Sequence, residues 1–125
     1  MDKHELQART KEFALRALKL VDALPPTPAG RAISNQLVRS ATSVGANYRA
    51  ACRARSRSEF AAKLGTVLEE ADESLYWLEM IRDSKLLPPG KLCLLLQEAN
   101  ELTAIVGAGR KTAIKRTSDI KHPKS

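Results

Sequence analysis

Two proline-rich breaks, Leu24-Pro25-Pro26-Thr27-Pro28 and Leu87-Pro88-Pro89-Gly90, divide the sequence into segments whose apolar residues recur every three to four positions. Each proline removes a backbone donor and turns the residue before it away from the helical region, so helices must stop at these points. Between the breaks Ala, Leu, Arg, Lys and Glu dominate, and the aromatic residues are Phe13, Phe60, Tyr48, Tyr76 and Trp77. That composition suits helices and is poor in the β-branched and aromatic residues of a β-sandwich.

The first segment, from about Lys3 to Leu24, places Leu6, Phe13, Ala17, Leu20 and Leu24 at helical spacing. Thr27 can then cap a second helix with Pro28 at its first position. That helix runs to about Ala54, and Ile33, Leu37, Ser40, Val44, Asn47 and Ala51 fall within about 40° of one line on it. Two members of this seam, Ser40 and Asn47, are polar. Ser56-Arg57-Ser58-Glu59 has the form of a capping box, with Glu59 reaching back to the Ser56 N–H. The third helix then extends to about Ser84, with Phe60, Leu64, Val67, Ala71, Leu75 and Leu78 on its apolar face and Trp77 and Ile81 at one edge.

Leu92, Leu95, Leu96, Ala99, Leu102, Ile105 and Val106 mark a fourth helix that fades at Gly107 and Gly109. The expectation is an all-α protein, an antiparallel up-and-down four-helix bundle over residues 1–109 followed by a mobile basic tail over residues 110–125. At 125 residues the chain forms one domain and buries roughly two-thirds of its unfolded surface, enough to fold without disulfides. Cys52 and Cys93 fit neither a zinc spacing nor a disulfide framework, and both suit core or flank positions in a reducing compartment. With no apolar run of membrane-spanning length and a charged start, Met1-Asp2-Lys3-His4-Glu5, the chain is expected in the cytoplasm and off the membrane.

Charge is unevenly placed. Lys and Arg exceed Asp and Glu by 21 to 14, a net charge of +7 that biases the chain toward polyanions. Arg31 to Lys63 holds seven basic residues and one acid, whereas Glu69 to Asp83 holds six acids and one base. On the second helix Arg31, Arg39, Arg49 and Arg53 lie within about 80° of one another, opposite the apolar seam. Arg55 and Arg57 extend this stripe into the next loop, Lys111, Lys115 and Arg116 add a second basic block, and Tyr48 lies beside the stripe as a stacking surface. A solvated surface explains such a stripe as well as phosphate binding does, and no signature of sequence-specific recognition accompanies it.

Catalytic and cofactor constellations are missing from the sequence. A di-iron bundle needs Glu-x-x-His on two helices, but the histidines, His4 and His122, lie at the chain ends. They leave no base in a helical core position for a Ser or Cys nucleophile. Gly107-Ala108-Gly109-Arg110 lacks the preceding strand and third glycine of a dinucleotide loop. The expectation is a protein that is not an enzyme and carries no metal or cofactor.

Gln36-Leu37-Val38-Arg39-Ser40-Ala41-Thr42-Ser43-Val44-Gly45-Ala46-Asn47-Tyr48, then Arg53-Ala54-Arg55-Ser56 and Glu59-Phe60, resembles the signature of the four-helix-bundle family named for 23S ribosomal RNA intervening sequences. Glu69-Glu70-Ala71-Asp72-Glu73-Ser74-Leu75-Tyr76-Trp77-Leu78-Glu79 is similar to that family's second stretch. The resemblance implies a ring-like homo-oligomer, a pentamer above other numbers, with no enzymatic activity. The accessory proteins of diversity-generating retroelements are similar in fold and assembly, and they raise nucleic-acid binding through a basic surface as a hypothesis. The matching positions are Gln36, Arg39, Ser40, Ser43, Asn47, Glu70, Glu73 and Trp77. A core or intersubunit polar network of Gln36, Ser40, Asn47, Glu70, Glu73 and Trp77 suits them better than ligand binding.

Two readings follow. In one, the oligomer binds RNA or DNA backbones through Arg31, Arg39, Arg49, Arg53, Arg55, Arg57, Lys111, Lys115 and Arg116. In the other, it is a structural or adaptor oligomer whose partner is a protein, and its charge serves solubility and steering.

Overall fold

The computed structural model describes residues 1–121, and side chains through residue 118. Four helices follow in order: α1 (Lys3–Val21), α2 (Pro28–Cys52), α3 (Arg57–Asp83) and α4 (Pro89–Lys121). Each packs on its neighbour in sequence, and α1 closes against α4, while among the described residues the backbones of the diagonal pairs α1–α3 and α2–α4 stand farther apart. The result is the expected four-helix bundle. Phe13, Leu37, Val44, Val67, Leu78, Ile81, Leu92, Leu102 and Val106 are almost fully buried along its axis. Leu24 and Leu87, one in each proline-rich loop, are buried too and seal one end.

Local chemistry sets the helix starts. The Asp2 carboxylate accepts the Glu5 N–H at 2.9 Å, the Thr27 hydroxyl accepts the Gly30 N–H at 3.1 Å with Pro28 opening α2, and the Ser56 hydroxyl accepts the Glu59 N–H at 3.0 Å. The box at α3 differs in one partner. The Glu59 carboxylate accepts the N–H of Arg55 at 3.3 Å, one residue before the Ser56 N–H expected from the motif. The α1–α2 loop folds so tightly that a Cβ on Gly30 would lie 2.0 Å from the Pro25 carbonyl oxygen.

The end of α3 is a Schellman turn. Leu86 N–H donates to the Ile81 carbonyl and Lys85 N–H to that of Arg82, each at 3.1 Å, with Lys85 left-handed at φ 59°.

The fourth helix continues past the glycines at which the sequence pattern fades. Gly107 and Gly109 each cost about 1 kcal/mol of helix propensity. Packing outweighs that: Cβ atoms there would only touch Leu68 and Leu64 of α3 at 3.8 and 3.9 Å, and Ala113 beyond them is buried. Residues 110–121 are therefore helical rather than a loose tail, and residues 122–125 lie outside the described residues. With 33 residues against 27, α4 is about 50 Å long beside about 40 Å for α3. Among the described residues no helix is long and apolar enough to cross a membrane.

Candidate nucleic-acid interface

The arginine stripe of α2 separates into three environments. Arg31, in the first turn, donates to the Pro26 carbonyl at 2.7 Å and ties down the α1–α2 loop. Arg39, in mid-helix, donates to Glu70 at 3.3 Å and to Glu73 of α3. The Glu73 hydrogen bond, foremost, raises its pKa, so this guanidinium is held charged between two carboxylates. Arg49, Arg53, Arg55 and Arg57 are exposed, and none has a carboxylate within ion-pair distance among the described residues.

The up-and-down topology brings further cations to this last group. The start of α1, the α2–α3 loop, the start of α3 and the far part of α4 share one end of the bundle. Lys3, Arg55 and Arg57 line one hollow of about 400 Å³ there, and Arg57 and Arg116 line another of about 110 Å³. On the flank between α1 and α2, Lys11 and Arg49 face a groove of about 480 Å³ with His4 and Gln7. The two helices are close at Gly45, where a Cβ would be in van der Waals contact with Thr10 at 3.4 Å. Lys111 and Lys115 are exposed on α4, one turn apart. Cations from four helices and a loop thus gather toward one end, where the acids Asp2, Glu5 and Glu59 also lie, while Glu69, Glu70, Asp72 and Glu73 occupy the middle of α3.

Tyr48 does not serve as a stacking surface on the stripe. It is 5% exposed, and burial, foremost, raises its phenol pKa. Because α2 packs on both α1 and α3, its buried sector is wider than the seam and takes in Ala41 and Tyr48.

Within one chain and among the described residues, the polar seam residues fall into separate contacts. Ser40 is fully buried, with its Oγ 3.1 Å from that of Ser74 on α3. Asn47 is half-buried and donates to the Ser43 carbonyl of its own helix at 2.8 Å, while Gln36 is exposed. Glu70 and Glu73 join Arg39. Trp77 is half-buried with Tyr76 edge-on at 5.0 Å, and its buried indole N–H has no partner among the described residues.

Several contacts carry no sequence signal. Arg9 of α1 donates to both carboxylate oxygens of Glu98 on α4 at 2.8 and 2.6 Å, closing the side where α1 meets α4. Arg110 crosses α3 over Gly65, where a Cβ would stand 3.1 Å from its Nε. Of the cysteines Cys52 is half-buried, but Cys93 is exposed and belongs to neither core nor flank. It falls on the outer side of α4, between the inward Leu92 and Leu95.

No curated protein matches the sequence. A crystal structure of a protein with unknown function from the S23 ribosomal protein family, from Bacteroides thetaiotaomicron VPI-5482, superposes with a TM-score of 0.81. The two are 31% identical, over 89% of this chain and 99% of that one. The family model for the 23S rRNA-intervening sequence protein matches residues 2–108, which include α1, α2, α3 and most of α4. The chain belongs to the 23S rRNA-intervening sequence protein family.

Proposed function

We propose that this chain is a non-catalytic protein that forms a ring-like homo-oligomer and binds RNA or DNA backbones, without sequence preference, through its basic end. The observation that carries this reading is the meeting of Arg57, at the start of α3, with Lys3 and Arg55 in one hollow and with Arg116 in the next. The fields of cations add where they approach within a Debye length of about 8–10 Å, and neighbouring hollows gather these four at one end. Guanidinium forks also suit phosphate in two parallel hydrogen bonds.

Self-association has separate support. Tyr76 and Met80 are exposed on α3 beside Trp77, an aromatic and Met-containing patch of the kind enriched at interfaces. Five copies is the number the family resemblance implies, and a reducing cytoplasm suits the two free thiols.

The test is fluorescence anisotropy with nuclease-treated protein, titrated into single-stranded RNA, duplex RNA and duplex DNA over a range of salt. Micromolar or tighter binding with a steep negative salt slope is the expected result. Absence of binding near physiological salt would overturn it. The same α3 patch favours, as a second reading, an adaptor role with a protein partner, which would co-purify after nuclease treatment.

A further inference from the structure

We propose that a groove at the basic end holds an unstacked nucleobase, so that single strands bind in preference to duplexes. The proposal rests on the backbone-binding reading and adds a base contact to it. The groove measures about 450 Å³ and is walled by Leu6, Tyr48, Phe60, Leu64 and Ile105, with Gly109 among its lining residues. Phe60 also lines the hollow of Lys3, Arg55 and Arg57 and that of Arg57 and Arg116. Phe60, half-buried, is therefore common to the lining of the apolar groove and of both hollows that the cations line.

A nucleotide has the same division. Its base is a flat π-face, and its phosphate is an anion joined to that face through a sugar. Cations spread around a groove of this size suit a chain of phosphates carrying one apolar group better than a lone acyl chain with a single head. A duplex keeps its bases stacked and paired and can offer this end only phosphates. A splayed single strand can offer both.

Two fluorescein-labelled DNA probes of about 12 nucleotides, oligo(dA) and the same length of abasic tetrahydrofuran sites, carry equal backbone charge and differ in their bases. Full-length protein should bind oligo(dA) about tenfold more tightly at the same salt. Gly109→Leu places a side chain in the groove, and its Cβ would make only ordinary contact with Leu64 at 3.9 Å. Gly109 borders the hollow of Arg57 and Arg116 as well, so the readout is selectivity and not overall affinity: the variant should keep the wild-type helical circular dichroism while losing the preference for oligo(dA). Equal affinity of the wild-type protein for the two probes, with a steep salt slope, would overturn the base groove and leave backbone binding standing. Failure to bind either probe would overturn both. The comparison of probes needs no variant, so it decides the question whether or not Gly109→Leu folds.

Discussion

The hydroxyl oxygens of Ser40 and Ser74 lie 3.1 Å apart between α2 and α3, and both residues are completely buried. Their outer partners are the Leu37 carbonyl, 3.3 Å from Ser40, and the Glu70 carbonyl, 2.8 Å from Ser74. Two protons thus serve three contacts: each hydroxyl has a carbonyl of its own helix as an acceptor, and the third contact joins the two hydroxyls.

Ser74→Ala leaves the Ser40 hydroxyl with one long contact and should cost about 1–2 kcal/mol of unfolding free energy. The double variant Ser40→Ala/Ser74→Ala should cost less than the sum of the singles, by about 0.5–1 kcal/mol. Urea unfolding of the four proteins in the cycle measures this, and strict additivity would show that the hydroxyls act independently.

Lys85 is the described non-glycine residue with positive φ, and it occupies the position where a Schellman turn favours glycine. Lys85→Gly should stabilise the fold by about 1 kcal/mol. In a chain of this size that raises Tm by roughly 3–6 °C. Thermal unfolding followed by circular dichroism provides the check.

Burial raises the Tyr48 phenol pKa above its ordinary value near 10. The folded state therefore holds this proton at a pH where the unfolded chain releases it, and the contribution is full below pH 10 and lost as pH rises beyond it. Wild-type stability should fall more steeply between about pH 9 and 11 than that of Tyr48→Phe. Equal slopes in urea unfolding would show that Tyr48 is hydrated in the folded state.

Wild-type protein should run in light scattering at a mass near five times that of the chain. Met80→Glu puts a charge into the exposed patch beside Tyr76 and Trp77 and should lower that mass without loss of helicity. An unchanged mass would remove this face of α3 from the interface.

Helix starts are legible in the sequence because they are local. Thr27 and Ser56 cap where a side chain two or three residues upstream of a free N–H has to be, and Pro28 fits the first turn. The passage of α4 through Gly107 and Gly109 is hidden because the contacts that carry the helix onward come from α3, whose packing no window of α4 reveals. The arginine stripe divides for a related reason. Projection down α2 puts Arg39 and Arg53 in one sector but hides their separation of 14 positions, about 21 Å along the helix. Over that distance the neighbourhood changes from the carboxylates of α3 to an open bundle end. Ser74 is likewise unmarked as the partner of Ser40, since pairing across helices depends on register and not on spacing within either one.

On the proposed reading the cations at the bundle end bind phosphate and the ion-paired Arg39 does not. The salt dependence of single-stranded RNA binding, measured for wild type, Arg55→Ala/Arg57→Ala and Arg39→Ala, tests it most directly. The double variant should flatten the slope by about 1.4, at about 0.7 for each phosphate no longer neutralised, and Arg39→Ala should leave it unchanged. An unaltered slope in the double variant, or equal flattening by Arg39→Ala, would contradict the assignment of the basic end as the binding surface.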